Sequence, residues 1–125
     1  MVEVKHDWKC YDTMNLTQRS IKSPGYPNSE YKNNTDCVWT LTNLLPDDSG
    51  IVLHFQEFQT EEGLDGVSIS DDNGNILNEI TGTVTPDDIQ YGGKKIIVRF
   101  LSDGSTTAKG FSLIYDVKGL SLIHI

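Results

Sequence analysis

The chain has 125 residues, 37% of them hydrophobic, which suits one soluble domain with a modest core and excludes a second. Lys plus Arg total 10 against 18 Asp plus Glu, a net charge of −8. The charge argues against nucleic acid and disfavours anionic membranes as partners, because phosphate binding needs clustered cations and these lysines are scattered, and no apolar run nears the roughly 20 residues that direct membrane insertion requires.

The N-terminal stretch Met1-Val2-Glu3-Val4-Lys5-His6-Asp7 is too polar for a signal-peptide core, so the segment that directs the protein to its compartment is expected outside this sequence. Downstream, apolar and polar residues alternate in short runs, the period of half-buried strands, and helix signals are almost absent. Ser20-Ile21-Lys22 is a first, weak strand candidate. Cys37, Trp39 and Leu41 share one face of the next; Ile51, Leu53 and Phe55 follow, then Val67 and Ile69, then Ile96, Val98 and Phe100, then Phe111, Leu113 and Tyr115. Glu79-Ile80-Thr81 and Asp88-Ile89-Gln90 are further short candidates. The runs are punctuated by the turn clusters Pro46-Asp47-Asp48-Ser49-Gly50, Asp71-Asp72-Asn73-Gly74-Asn75, Tyr91-Gly92-Gly93-Lys94 and Asp103-Gly104-Ser105. Asn73-Gly74 predicts a two-residue type I′ hairpin with φ > 0 at both positions. Together these elements predict an all-β fold, an antiparallel β-sandwich. The last six residues, Leu120-Ser121-Leu122-Ile123-His124-Ile125, resemble the in-frame translation of a sequencing-library adaptor. Setting residues 120–125 aside leaves a single domain over 1–119, expected to be a piece of a longer protein.

Two cysteines are present, Cys10 and Cys37. A bridge that staples the N-terminal arm to the core and a pair of free buried thiols fit their spacing equally, and neither spacing nor neighbours make a metal signature. Asn15-Leu16-Thr17 and Asn33-Asn34-Thr35 satisfy the N-glycosylation pattern, which makes Asn15 and Asn33 candidate acceptors and, with the cysteines, points to an extracellular location. Catalysis has little support: His6 is near the end, His124 is in the set-aside tail, and His54 falls on the outward face of its strand with no nucleophile paired to it. Glu57, Glu61, Glu62 and Asp65, and again Asp71, Asp72 and Asp103, gather at turns. Oxygen-rich loops suit calcium, while an acidic solvated rim fits the same composition. The run Asp71 to Asn75 superficially resembles an EF-hand loop, yet its glycine falls at the fourth position and no helix flanks it, so it reads as a hairpin turn.

The segment Ile21-Lys22-Ser23-Pro24-Gly25-Tyr26-Pro27, followed by Tyr31, Cys37-Val38-Trp39, Ile51-Val52-Leu53-His54-Phe55 with Phe58 and Glu61, then Phe100-Leu101-Ser102-Asp103 and Gly110-Phe111-Ser112-Leu113-Ile114-Tyr115, resembles the CUB domain family in order and spacing. The resemblance covers residues 10–116. It implies an extracellular β-sandwich of the jelly-roll type, a Cys10–Cys37 disulfide, and use as a non-catalytic binding module of a larger secreted or cell-surface protein. As in calcium-binding members, Glu61, Asp65 and Asp103 are expected to hold Ca2+ together with a carbonyl from the Ser105 loop. The same edge, with Tyr31 as a hydroxyl donor, is expected to receive a Lys or Arg of an extracellular protein, or a glycan. Physical roles for other motif residues follow separately: Pro24 and Pro27 fix φ on either side of Gly25-Tyr26 and stiffen a turn, and Trp39 is expected to pack against a bridge or the opposite sheet with Phe100, Phe111 and Tyr115. The chain departs from many members in having no cysteines for a second disulfide and in its short Glu61 to Asp65 segment, which leaves calcium as the remaining cross-link at that end. Two rival readings are an accessory, substrate-positioning domain of a secreted metalloprotease and a free-standing carbohydrate-binding protein.

Overall fold

A computed structural model describes residues 2–6, 10, 14–15, 19–43, 50–92 and 95–118. Pro46 to Ser49, Gly93-Lys94, Leu16-Thr17 of the first glycosylation tripeptide and the tail 120–125 lie outside the described residues. The strands are β1 (Val2–His6), β2 (Met14–Asn15), β3 (Ser20–Lys22), β4 (Asp36–Asn43), β5 (Gly50–Gln59), β6 (Gly66–Asp71), β7 (Ile76–Ile80), β8 (Ile89–Tyr91), β9 (Lys95–Leu101) and β10 (Gly110–Lys118). They form two 5-stranded antiparallel sheets, in the orders β1-β4-β9-β6-β7 and β2-β3-β10-β5-β8, which is the expected sandwich. The five strong strand predictions correspond to β4, β5, β6, β9 and β10, and the three weak ones fall on β3, β7 and β8.

Alternation explains the packing. On β9, Ile96, Val98 and Phe100 point inward opposite Leu41, Trp39 and Cys37 of β4, and Val98 and Phe100 also face Ile69 and Val67 of β6. β10 brings Phe111, Leu113 and Tyr115 to the same interior from the second sheet, against Phe58, Phe55 and Leu53 of β5. The Trp39 indole meets the Phe111 ring edge-on at 6.1 Å, and Phe100 stands 5.4 Å from Phe111, so the aromatic positions read from the sequence share one core. Cys10 and Cys37 are bonded with their Cα atoms 6.0 Å apart.

Three departures have physical reasons. β1 and β2 carry no strand prediction, because β1 belongs to a polar stretch at the chain start and β2 is only 2 residues long. The hairpin between β6 and β7 is longer than a two-residue type I′ turn: Gly74 has φ 88° while Asn73 keeps an ordinary φ. The Asp71 carboxylate accepts the N–H groups of Asn73 and Asn75 at 2.9 Å each, and its backbone N–H reaches Asn75 O at 3.0 Å, so the aspartate closes a wider loop. Third, β5 contains a bulge opposite Ser112 and Leu113, which turns the consecutive residues Gln56 and Glu57 both away from the core between the inward Phe55 and Phe58.

Gly110 opens β10 at φ 102°, and a methyl there would meet Ser23 Oγ at 1.9 Å. That hydroxyl accepts the N–H of Phe111 at 3.0 Å in the interior. Gly110→Ala is therefore expected to destabilise by about 1–3 kcal/mol, whereas Gly92→Ala, whose methyl meets nothing within 4 Å, stays within about 0.5 kcal/mol. Urea unfolding of the two variants checks this, and equal losses would show that the left-handed position is not under strain.

Candidate metal centre

One end of the sandwich is built by the turn after β5, the residue that precedes β6 and the loop after β9. The turn forms because Leu64 and Asp65 both donate backbone N–H to Glu61 O, at 3.3 and 3.0 Å. Two threonines then clasp it: Thr60 Oγ1 and Thr81 Oγ1 donate to Asp65 O at 3.2 and 2.7 Å. Gly66 follows with no room for a side chain, since a Cβ would lie 2.3 Å from Ile80 O of β7, so the backbone can seat Asp65 deep beside the neighbouring strand.

Asp65 is 2% exposed and is the organising residue. Its Oδ2 accepts the Tyr31 hydroxyl at 2.6 Å and its Oδ1 accepts the backbone N–H of Asp103 at 2.8 Å. Tyr31 is itself buried, its ring set edge-on to Phe100 at 4.9 Å, and its oxygen accepts the N–H of Glu61 at 3.2 Å. Asp103 is held further by Asn34 N on its carbonyl at 2.8 Å and by Ser105 N on its Oδ1 at 3.1 Å.

This scaffold brings one carboxylate oxygen from each of Glu61, Asp65 and Asp103 within 4.8 Å of one another. Desolvation holds the Glu61 carboxyl above its ordinary range, a Thr106 hydrogen bond works against that, and the negative charges of Asp103 and Asp65 push it further up. Burial, and then the hydrogen bond to Asp65, push the Tyr31 hydroxyl up, so it stays a donor. Glu61 Oε1 is shut off from solvent and has no hydrogen-bond partner among the described residues. An ionised carboxylate only accepts, so three carboxylates grouped this closely could together hold a cation. Oxygens that ligate one Ca2+ at about 2.3–2.6 Å lie at most about 5 Å apart, and the observed span fits.

Of the sequence-predicted site residues, Glu61, Asp65 and Asp103 converge. Ser105 sits at the same end, where its N–H holds Asp103. Tyr31 corrects an expectation: with 1% exposure its hydroxyl is committed to Asp65 and has no surface to offer a partner. Thr60 and Thr81 escaped sequence reading, because threonine at a strand end carries no signal that separates a clasp from a solvated hydroxyl. The remaining acids lie elsewhere: Asp71 closes the hairpin, where hydrogen bonds from Asn75 hold its carboxyl below the usual range, and Glu57 stands on the outer face of the second sheet between Tyr26 and Lys109. His54 is exposed as expected but has an orienting partner, its Nδ1 being in contact with Asp88 Oδ1. Asn33 is exposed in the loop before β4, whereas the side chain of Asn15 lies outside the described residues.

Comparison with known proteins gives the same outline. The profile of the CUB domain matches residues 10–115. Cubilin of Sus scrofa is 37% identical over 116 residues, which cover 86% of this chain and 3% of cubilin, so the chain spans a small fraction of that relative's length. Among solved structures, the CUB1-EGF-CUB2 domain of human MASP-1/3 superposes with a TM-score of 0.72 at 25% identity, over 84% of this chain and 43% of that one. The MASP-1 CUB2 domain bound to Ca2+ superposes with a TM-score of 0.67 at 27% identity, over 78% of this chain and 92% of that one.

Proposed function

Because the chain belongs to the CUB domain family, whose members are extracellular or secreted binding modules, we propose that it recognises an extracellular protein at a calcium-bearing edge made by Glu61, Asp65 and Asp103. The partner contributes a Lys or Arg, whose charge complements the carboxylates left at the rim. The observation that carries this reading is the sealed, unpartnered Glu61 Oε1 beside two other carboxylates. The Ca2+ in the MASP-1 CUB2 structure supports the choice of ion. Calcium would supply a fixed double positive charge that offsets two of the three carboxylate charges and leaves a net negative edge for the partner's cation. A carbonyl of the Ser105 loop completes the shell in this reading, the functional unit runs over 1–119, and Asn15 and Asn33 carry glycan. Whether the larger protein is a receptor or a metalloprotease is decided by its other domains: a zinc-binding His-Glu-x-x-His motif would make this unit an accessory substrate-positioning domain.

A thermal melt tests the ion. Extracellular sites of this kind bind with Kd on the order of 10⁻⁴–10⁻³ M, and at ten times Kd the ion adds about 1.4 kcal/mol of stability. Asp103→Ala is expected to abolish the calcium-dependent rise, and Asp72→Ala, on the hairpin, to leave it intact. Glu61→Gln is expected to melt higher than the parent in chelator at neutral pH, since it removes a desolvated like charge, and to gain nothing from calcium. A parent domain whose melting temperature ignores both calcium and chelator would refute the site.

A further inference from the structure

Away from the acidic edge, the outer face of the β2-β3-β10-β5-β8 sheet carries a depression lined by Ser20, Lys22, Tyr26, Gln56, Ser112 and Ile114, with a volume of about 660 Å³, inside the range of about 300–1,000 Å³ common for small-ligand sites. Strand register builds it in two rows: Lys22 and Glu57 flank Ser112, and Ser20 and His54 flank Ile114. The β5 bulge gives the face its chemistry, because it turns Gln56 and Glu57 outward side by side. Glu57 fixes the rim. Its Oε1 accepts the Tyr26 hydroxyl at 2.5 Å, and its Oε2 accepts Lys109 Nζ at 3.1 Å while that ammonium lies 5.8 Å from the Tyr26 ring centroid. Gln56 is oriented too, since its Oε1 accepts Ser112 Oγ at 2.8 Å.

What remains unpaired is a set of donors. With its oxygen engaged, the Gln56 amide presents its Nε2 hydrogens outward. Lys22 makes no ion pair among the described residues. Ser20 lies beneath them, 3% exposed, its hydroxyl closed off from solvent and without a hydrogen-bond partner among the described residues. We propose that this depression binds a neutral saccharide. Such a ligand brings many acceptor oxygens to the unpaired donors, its adjacent hydroxyls match a planar amide, and its ring C–H groups can lie against the held face of Tyr26. An apolar ligand is disfavoured because Ile114 is the only aliphatic lining residue. A sulfated or phosphorylated one is disfavoured because Lys22 is the only cation among the described lining residues, the Lys109 ammonium at the rim is engaged by Glu57, and the whole chain carries −8. The site shares no residue with the acidic edge, so its binding does not depend on calcium.

A glycan array holding neutral, sialylated and sulfated oligosaccharides, followed by NMR titration of the neutral hits in calcium and in chelator, tests the proposal. Neutral oligosaccharides are expected to bind equally with and without calcium. Gln56→Glu, which removes the two amide donors, and Lys22→Ala are each expected to weaken binding about tenfold, while Asp72→Ala leaves it unchanged. Both substituted side chains reach solvent, so an unchanged melt is expected, and if one variant fails to fold the other decides. No neutral binding, binding confined to sulfated glycans, binding lost in chelator, or titrations indifferent to Gln56→Glu and Lys22→Ala would each overturn it.

Discussion

Replacing Cys10 and Cys37 together by Ser is expected to lower the stability of the domain by about 3.5 kcal/mol. The bridge closes a loop with a sequence separation of 27, and on the chain-entropy view a cross-link of that span removes about this much freedom from the unfolded chain. Domains of this size have net stabilities of about 5–15 kcal/mol, so the bridge accounts for a large share. Both half-cystines are buried, at 2% and 1% exposure, and the serine hydroxyls would add a desolvation cost. Urea unfolding of the double variant against the parent measures the loss. A difference below about 1 kcal/mol would mean that the N-terminal arm is held to the core by its other contacts and that the bridge is ornamental for stability.

The second large effect is expected at Asp65. Asp65→Ala leaves the Tyr31 hydroxyl and the Asp103 N–H without their acceptor, and each buried orphaned donor costs about 1–3 kcal/mol. Relief of repulsion with Glu61 and Asp103 offsets part of this, which leaves a net loss of about 3 kcal/mol together with complete loss of the calcium response. Tyr31→Phe removes one of the two stranded donors in advance. In that background the same Asp65→Ala change should cost about 1 kcal/mol less. Strict additivity of the two substitutions would show that the 2.6 Å contact carries no stability.

Much of the sandwich was legible because a half-buried strand writes its geometry into every second residue. Ile96, Val98 and Phe100 could hardly share a face in any other conformation, and the inward set of β9 is that set. Where the period is broken, reading stopped short: Phe55 and Phe58 both point inward, three positions apart, and only a bulge reconciles them. Short or polar strands such as β1 and β2 have too little apolar contrast to register. At the site, the three carboxylates could be grouped from the family resemblance, because acids near strand ends project at one end of a sandwich. The role of Tyr31 could not be read, since a tyrosine in a loop looks the same whether its hydroxyl meets solvent or a buried aspartate. The turn at Asn73-Gly74 was placed correctly but given the wrong length, because a dipeptide preference for type I′ does not count the pull of the Asp71 carboxylate on two amides farther along.

The alternation along β9 has a consequence for how such a domain changes over generations. Its inward residues are pinned by the opposing sheet, while Lys95, Ile97, Arg99 and Leu101 on the other face answer to nothing in the interior. Arg99 spans to Asp36 of β4 with contacts of 2.9 and 2.7 Å, yet an exposed pair of this kind adds about 1 kcal/mol or less. Outward positions can therefore be rewritten one at a time with little penalty in folding. One interior can carry a succession of different recognition surfaces, and two copies with diverged exteriors can keep nearly the same melting point while binding unrelated molecules.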